Sequence, residues 1–303
     1  MTFKRIAIIG LGLLGGSIGL ALRERMPATV TTGFDADPLT RARATERQLV
    51  GTVCATAGEA VADAELVILC VPVGAMAAAA RDISGHLAPG AVVSDVGSSK
   101  QSVAEALSRA LPGVAVIPAH PVAGTERSGP DAGFAALFHN RWCIITPPVD
   151  AAPAQVEALS SLWQALGAKV ELMDARHHDM VLAVTSHLPH LIAYTIVGTA
   201  SDLEGVTESE VIKYSAGGFR DFTRIAASDP TMWRDVFLAN RDAVLDMLQR
   251  FTEDLTALQR AIRIGDGAQL FEHFTRTRAI RRSIIEEGQD DARPDFGRSD
   301  HGE

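Results

Sequence analysis

The chain of 303 residues has few cysteines, a deficit of basic side chains and no long uninterrupted apolar run. Cys54, Cys70 and Cys143 are widely spaced and form none of the close pairs that zinc sites use. We therefore expect reduced, buried thiols of a cytosolic protein and no metal site. The chain has 28 Lys and Arg but 37 Asp and Glu, which gives a net charge of −9. This charge argues against general nucleic-acid binding, which requires a basic surface.

Export and membrane signals are lacking as well. The apolar residues within 3–9 are too few for a signal peptide, and glycines follow them at once. No stretch reaches the roughly 20 apolar residues that a membrane-spanning helix needs, because Gly, Pro or charges interrupt each candidate. We expect a cytoplasmic protein with no membrane partner.

The first half of the chain alternates short apolar runs with helical patterns. Such alternation predicts a parallel β-sheet covered by helices on both faces. The predicted strands are residues 5–9, 30–34, 65–71, 91–96, 114–119 and 142–146. The predicted helices between them are residues 16–25, 38–48, 74–86 and 100–111. A helix over 154–166 and a strand over 169–173 are expected to close the same sheet.

After Asp174 the pattern is helical throughout, over residues 176–200, 230–262 and 265–286. Asp229-Pro230 is a typical helix start, with Asp as the cap and Pro in the first turn. The region is more apolar than one thin helical layer requires, which predicts packing against a second subunit. Residues 288–303 are polar and charged, and we expect this tail to be disordered.

A glycine motif follows the first predicted strand. Residues 6–15 read I-A-I-I-G-L-G-L-L-G, and the spacing G-x-G-x-x-G opens the first helix. In a dinucleotide site the three glycines allow the tight turn, the approach of a pyrophosphate and close helix–strand packing. The helix N-terminus then offers free N–H groups to phosphate oxygens. Cofactor contacts are predicted at Gly10, Leu11, Gly12, Leu13, Leu14 and Gly15.

Asp35 ends the second predicted strand, 25 residues after Gly10, where an acid accepts hydrogen bonds from the adenine ribose. A carboxylate there repels a 2′-phosphate, and no arginine directly follows it, so NAD is favoured over NADP. Val71 and Pro72, after a later strand, are expected to line the cofactor cleft. Asp37 is a candidate cap for the helix from Pro38, and a Rossmann-like turn for another ligand is the alternative interpretation.

Four polar clusters lie at the ends of apolar elements. They read D-V-G-S-S-K at 95–100, H-P-V-A-G-T-E-R-S-G at 120–129, S-H-L-P-H at 186–190 and G-G-F-R-D-F-T-R at 217–224, the last followed by D-P-T-M-W at 229–233. Together with the glycine motif, they resemble the prephenate/arogenate dehydrogenase family of tyrosine biosynthesis. The resemblance extends from Ile6 to about Ile285. It implies an α/β Rossmann-type domain over 1–173, followed by an all-α substrate and dimerisation domain over 174–287.

The resemblance implies an NAD-dependent enzyme that acts on a small anionic cyclohexadienol. Hydride leaves the ring carbon that bears the hydroxyl, carbon dioxide departs, and the ring becomes aromatic. The product is 4-hydroxyphenylpyruvate from prephenate or tyrosine from arogenate, and the residues do not rank the two substrates. A homodimer through the helical domain is also implied.

Site roles follow from the same resemblance. His120 is the catalytic base, since a neutral imidazole accepts a proton near pH 7. Ser98 helps to bind the hydroxyl and the histidine, with Ser99 as the alternative. Arg224 pairs with the substrate carboxylate through its planar guanidinium.

Other assignments are less specific. His190 is expected to contact substrate, although a buried structural histidine fits it too. Thr125 and Glu126 are expected to line the pocket, and Gly217 to let the backbone approach ligand or partner. His187 is left open between a structural and a site role, and Asp179 between orienting a site histidine and lying on a solvated helix face.

Two other functions compete with this interpretation. Hydroxyacid dehydrogenases also join a Rossmann domain to helices, but they usually rely on a lysine of the second domain. A non-catalytic NAD sensor would not need polar clusters in both halves. No helical extension precedes Thr2 and the pattern ends near Ile285, so we expect neither a fused chorismate mutase nor a dedicated regulatory domain.

Overall fold

The computed structural model of the chain describes residues 3–125, 127–207 and 217–286, so the predicted tail and Glu126 lie outside the described residues. Its contacts divide the chain into two compact units, Met1–Leu245 and Asp246–Glu303. The domain boundary expected at residues 173 and 174 stays a prediction.

The first unit contains a parallel six-stranded sheet. Its strands are β1 (Arg5–Ile9), β2 (Val30–Phe34), β3 (Thr52–Val53), β4 (Leu66–Leu69), β5 (Val92–Asp95) and β6 (Ala115–Val116). They lie in the order β3-β2-β1-β4-β5-β6, and every neighbouring pair is parallel. The chain therefore reverses its direction of sheet growth between β3 and β4, beside β1, which creates the crevice where α/β sheets bind ligands.

Helices cover both faces of this sheet, as predicted. They are α1 (Leu13–Arg25), α2 (Pro38–Glu46), α3 (Ala57–Val61), α4 (Met76–Ile83) and α5 (Gln101–Ala110). Ile6 and Ile8 belong to one buried core, whereas Ala7 and Ile9 belong to the core on the opposite face. The side-chain period of two thus explains why β1 is apolar at every position.

A second, three-stranded sheet corrects two expectations. It consists of β7 (Ala119–Pro121), β8 (Trp142–Ile145) and β9 (Lys169–Leu172), with β7 antiparallel to β8. The expected single strand over 114–119 is thus two strands in two sheets, and residues 142–146 and 169–173 do not extend the first sheet. Ile117 N still donates to Val93 O (2.9 Å), whereas Pro118 O accepts from Thr146 N (2.9 Å). Ile117 thus makes the last ladder bond to β5, and the carbonyl of Pro118 already faces the second sheet, so the chain changes sheets between these two residues.

The rest of the described chain is helical, and no strand follows Leu172 within it. Its elements are α6 (Pro153–Ala165, between β8 and β9), α7 (Ala175–Leu182), a π-helical turn (Ala183–His187), α8 (Leu188–Thr207), α9 (Gly217–Thr223), α10 (Pro230–Ala239), α11 (Arg241–Ile264) and α12 (Gly267–Glu286). The predicted cap is confirmed, since Asp229 accepts from Met232 N (2.8 Å). The predicted helix over 230–262 breaks at Asn240.

Within the described residues, the second unit consists of most of α11 and all of α12, joined at Gly265, whose φ is +73°. Large apolar side chains are exposed on both helices in the single chain: Leu255, Ile262, Ile264, Phe271, Phe274 and Ile280. An apolar surface of this kind is typical of an interface between subunits.

We expected no segment long and apolar enough to cross a membrane. By the criteria of length and composition alone, this expectation is wrong. The helical run Ala175–Asp202 is 28 residues long and meets both criteria. However, it carries the buried polar side chains of His178, Asp179 and His187, which form hydrogen bonds to α5, β7 and Asn240. These hydrogen bonds attach the first half of the run to the rest of the described fold.

The three cysteines are free, as expected. Cys143 is buried, whereas Cys54 and Cys70 are only partly buried, so the expectation of buried thiols is confirmed for Cys143 alone.

Candidate active site

The glycine loop folds as the sequence predicts. Gly10 has φ +99°, and a Cβ there would lie 2.4 Å from Cys70 O. A Cβ on Gly15 would lie 1.9 Å from Gly10 O, so only glycine allows α1 to lie this close to the turn. A Cβ on Gly12 would meet nothing within 4 Å, and Gly12 begins α1 without a side-chain cap. The loop therefore leaves an open face at a helix N-terminus, which suits a pyrophosphate.

The apolar residues of this loop contribute in different ways. Leu11 is fully buried in the core, so its backbone alone faces the cleft. Leu13 and Leu14 are half-buried in the first turn of α1. Val71 lies against Gly10, and Pro72 beyond it is exposed. The end of β4 thus borders the loop, as expected for a cleft at strand C-termini.

Asp35 holds the glycine loop as well as facing the predicted ribose position. Its Oδ2 accepts from Leu11 N (2.8 Å) and its Oδ1 from Asp37 N (3.0 Å). Carboxylate oxygens have further lone pairs, so ribose hydroxyls can still donate to them. Asp37 also caps α2 by accepting from Thr40 N (3.0 Å), which confirms its capping role.

Sequence reasoning missed Arg41 in this part of the site. Its Nη1 donates to Asp35 O (2.7 Å) and Ala36 O (3.2 Å), and the guanidinium lies 5.3 Å from the centre of the Phe34 ring. Arg41 lies six residues after Asp35 along the chain, and the first turn of α2 brings it back to that residue. A cation therefore adjoins the acid that is expected to exclude a 2′-phosphate.

His120 lies in the middle of β7, opposite Ile144 of β8, and is buried. Its Nδ1 lies 2.8 Å from Nε2 of His178, and Nδ1 of His178 lies 2.8 Å from Oδ1 of Asp179. We call these three residues the His–His–Asp chain. The sequence offered Asp179 as a helper of some histidine, but the intermediate role of His178 was missed because its neighbour His177 is equally polar and is exposed.

Asp179 also caps the N-terminus of α5. Its Oδ1 accepts from Lys100 N (2.7 Å) and its Oδ2 from Gln101 N (3.0 Å). Free N–H groups at a helix start favour a carboxylate, so one buried acid satisfies both α5 and His178. The interpretation of Asp179 as part of a solvated face is therefore wrong.

A buried ion pair lies behind His120. Lys100 Nζ donates to Asp95 Oδ2 and to Ala119 O (2.8 Å), and both side chains are fully buried. Asp95 Oδ2 also accepts from Gly97 N (2.7 Å). Burial raises the pKa of Asp95 and lowers that of Lys100, while their contact opposes both shifts. The pair joins the end of β5 to the residue before His120.

The histidines of this region favour the neutral form. Burial lowers the pKa of His120 well below its ordinary value near 6.5, and the positive charges of His178, Lys100 and His187 lower it further. Burial lowers the pKa of His178, although Asp179 acts in the opposite direction. Neutral imidazoles are proton acceptors over the physiological pH range.

Ser98 and Ser99 differ in exposure. Ser98 is half-buried, whereas Ser99 is fully buried and its Oγ has no hydrogen-bond partner among the described residues. Ser98 is thus the more accessible of the two, which favours it over Ser99, but its predicted role in binding the hydroxyl stays a prediction.

His187 ends the π-helical turn and His190 lies in the first turn of α8, and the rings of both contact Trp233. His187 is buried, with Nδ1 3.1 Å from Asn240 Nδ2, and burial lowers its pKa to about 4. Its Nε2 is buried without a partner among the described residues. His190 is half-buried and stacks on Trp233 with 3.6 Å between ring centres. Single-turn π-bulges recur at functional sites, because they re-aim side chains of a helix.

The positive charge of Arg224 contributes to lowering the pKa of His190. Arg224 is exposed in the 3₁₀ turn after α9. Tyr194 donates to Ser228 O (2.7 Å), which attaches this turn to α8. Gly217 is exposed, and a Cβ on it would meet nothing within 4 Å, so no neighbour within the described chain requires glycine there.

The loop after His120 is anchored to the nucleotide-binding half at its far end. Arg47 donates to Pro130 O and to Gly133 O (3.0 Å), and Ser17 Oγ accepts from Phe134 N (3.0 Å). Thr125 accepts from Arg127 N (3.2 Å), whereas the predicted pocket residue Glu126 lies outside the described residues. Among the described residues no group of three or more acidic, His or Cys side chains could hold a metal ion.

Two family descriptions match the chain in succession. Residues 18–172 match "Prephenate dehydrogenase, nucleotide-binding domain", and residues 174–276 match "Prephenate dehydrogenase, dimerization domain". A cyclohexadienyl dehydrogenase of Zymomonas mobilis is 42% identical over 93% of this chain and 97% of its own length. A prephenate dehydrogenase of Bacillus subtilis is 31% identical over 92% of this chain and 76% of its own length.

Solved structures show the same similarity. The prephenate dehydrogenase of A. aeolicus, in complex with hydroxyphenyl propionate and NAD+, has a TM-score of 0.88 at 31% identity, over 94% of this chain and 99% of that one. The arogenate dehydrogenase of Synechocystis has a TM-score of 0.78 at 29% identity, over 93% and 100% of the two chains.

Gly12 and Gly15 provide a matched pair of substitutions for the cofactor loop. Gly12→Ala should leave the free energy of unfolding within about 0.5 kcal/mol of the parent and weaken NAD binding at least about tenfold, or 1.4 kcal/mol, because its methyl occupies the open face. Gly15→Ala should instead destabilise the fold by roughly 1–3 kcal/mol or more, because its methyl overlaps Gly10 O. Denaturant titration and NAD calorimetry measure the two effects. A Gly12→Ala protein that binds NAD like the parent would exclude a pyrophosphate at this face.

Proposed function

Because the chain belongs to the prephenate dehydrogenase family and is an NAD-dependent dehydrogenase, we propose that it converts prephenate to 4-hydroxyphenylpyruvate, arogenate to tyrosine, or both. The observation that carries this proposal is the buried, neutral His120 on the His–His–Asp chain, on the strand beside the cofactor-binding sheet. Such a group suits the removal of a proton from a hydroxyl.

The chemistry requires three events in one place. The substrate hydroxyl loses its proton as the carbonyl develops, the carbon that bears it loses hydride, and the ring loses its carboxylate as carbon dioxide. Bound NAD supplies the hydride acceptor. The chain must bind the cofactor between the glycine loop and Asp35, accept the proton and hold an anionic substrate.

His120 is the proposed base. Asp179 accepts backbone N–H groups on both oxygens, so it is a carboxylate acceptor and Nδ1 of His178 donates to it. Nε2 of His178 then accepts from Nδ1 of His120. This orientation leaves the lone pair of His120 on Nε2, the atom proposed to receive the hydroxyl proton, with Ser98 as a hydroxyl neighbour.

Arg224 and His190 are the proposed substrate contacts from the helical part. The guanidinium is suited to bidentate pairing with a carboxylate. His190, stacked on Trp233 and close enough to Arg224 for that charge to affect its pKa, offers a neutral polar edge beside the cation. Thr125, Glu126 and Gly217 are proposed to complete this pocket.

Residues 174–287 are proposed to form the substrate and dimerisation domain of a cytoplasmic homodimer. The match of 174–276 to a dimerisation domain supports this proposal, as do the exposed apolar side chains of the second unit.

His120→Asn should abolish most NADH formation at 340 nm while leaving NAD affinity unchanged, since a general base contributes roughly 10²–10⁴-fold. In the parent, kcat/KM should fall with acid only below pH 6.5, because the base must be neutral and its pKa is lowered. Prephenate and arogenate are assayed separately with NAD, which ranks the substrates. Absence of turnover with both would refute the proposed function.

Arg224→Ala should raise KM for the preferred substrate by about 10- to 100-fold, as expected for the loss of a charge-assisted hydrogen bond worth roughly 1.5–3 kcal/mol. The effect on kcat should be smaller, because the carboxylate is bound in the ground state as well. Arg109→Ala, which removes an exposed cation of α5, is the matched control. Steady-state kinetics that give Arg224→Ala the KM of the control would reject the assignment.

Phe271→Glu should convert a dimer into a monomer, because it places a charge within the exposed apolar surface of the second unit. Val149→Glu, at an exposed apolar position of the first unit, should leave the mass unchanged. Light scattering after size exclusion measures both. A parent that is monomeric at micromolar concentration would contradict the dimer.

A further inference from the structure

In the proposed function His178 orients the ring of His120, but its own capacity to take a proton has no role there. It is fully buried on α7, between His120 on β7 and the Asp179 carboxylate that caps α5. The two contacts of its ring, each 2.8 Å, use both ring nitrogens. Its ring therefore connects the proposed base to a carboxylate through hydrogen bonds with no gap.

The proton balance of the proposed reaction requires a group that can hold the hydroxyl proton, and the connection from His120 to His178 provides one. The substrate gives up hydride to the cofactor and carbon dioxide to solution, and its oxygen ends as the O–H of a phenol. The hydroxyl proton is therefore absent from the overall balance. A group that removes it early must keep it and return it to the same oxygen, rather than release it to water.

The charges around the two histidines are unequal. Lys100 is a cation behind His120, and His187 adds a further titratable ring on that side. The positive charge of Lys100 lowers the pKa of His178 as well, but His178 contacts the Asp179 carboxylate directly, and Asp95 contributes a further negative charge, and both raise its pKa. A positive charge on His178 is thus next to a carboxylate, whereas a positive charge on His120 is not.

We propose that His120 and His178 act as one base, in which the proton removed from the substrate is stored on His178 and then returned. The O–H bond of the substrate breaks and an N–H bond forms at Nε2 of His120. The proton on Nδ1 of His120 moves to Nε2 of His178, so the cation lies against Asp179. After the carboxylate leaves the ring, both transfers reverse and the oxygen becomes a phenol. His178 is a positioning and proton-storing residue that acts through His120, and this inference rests on the proposed function.

The ground-state arrangement can be tested without turnover. With ¹⁵N-labelled histidine in the full chain at neutral pH, His120 should show a protonated Nδ1 and an unprotonated Nε2, and His178 a protonated Nδ1. Signals are assigned by their loss in His120→Asn and His178→Gln. The opposite tautomer of His120, with the proton on Nε2, would overturn the proposal whatever the substrate proves to be.

Two substitutions separate storage from positioning. His178→Gln keeps a side-chain oxygen that can accept from Nδ1 of His120 but cannot take its proton, whereas His178→Phe removes the acceptor as well. We expect kcat to fall about 10- to 100-fold in His178→Gln and further in His178→Phe, up to the roughly 10²–10⁴-fold loss of a general base. NAD affinity should stay that of the parent. His177→Gln, at the exposed neighbouring histidine, is the matched control and should have parental kinetics.

The pH profile provides the readout that a purely structural role would not change. The acid limb of kcat/KM belongs to the pair, not to either ring. In His178→Gln the protonated base loses its connection to Asp179 and faces Lys100 and His187 alone, so the limb should move to lower pH. Active parent enzyme together with His178→Gln within twofold of parental kcat and an unmoved limb would refute the inference. An inactive parent would refute the proposed function, and the tautomer measurement would still decide the arrangement of the pair.

Discussion

The hydrogen bonds that the buried carboxylate of Asp179 accepts are the interactions on which the site depends. The carboxylate is buried, and its two oxygens accept from Lys100 N, Gln101 N and the ring of His178. An isolated buried carboxylate would be strongly unfavourable, but three donors and a helix N-terminus offset that cost. The backbone carbonyl of the same residue accepts from Asn240 Nδ2 (2.8 Å), which in turn contacts His187. One residue thus fixes α5, α7, the α10–α11 break and two histidine rings together.

A second constraint, the ion pair of Lys100 and Asp95, sets the electrostatic environment. Lys100 bridges Asp95 and the carbonyl of Ala119, so it attaches the end of β5 to the strand that carries His120. The six-stranded sheet presents the glycine loop at its C-terminal edge, and this bridge brings the small sheet to that edge. Its cation also opposes protonation of His120, which keeps the proposed base available. Lys100 thus contributes both to the position of the His120 ring and to the lowering of its pKa.

The sequence predicted the layers better than the connections between them. Alternating apolar runs predicted the covered parallel sheet, because a strand buried on both faces is apolar at every position. They did not reveal the second sheet, since the chain changes its pairing partner between Ile117 and Pro118, within one continuous apolar run. The break at Asn240 was missed because the helical periodicity of the sequence continues across it. The side chain of Asn240 instead forms tertiary hydrogen bonds to Asp179 and His187, which the sequence pattern does not show. Arg41 and His178 were missed for a similar reason: their partners are brought close only by the fold.

The arrangement also explains why a buried site tolerates proton chemistry at all. In a serine hydrolase triad a carboxylate orients one histidine and stabilises the imidazolium next to it. Here the carboxylate is one ring further away, and a lysine lies near the first ring. A cation on the first ring would therefore be poorly stabilised, whereas the second ring contacts the carboxylate directly. Because the proposed reaction returns its proton, no path to water is required, and a closed chain of three side chains satisfies the chemistry.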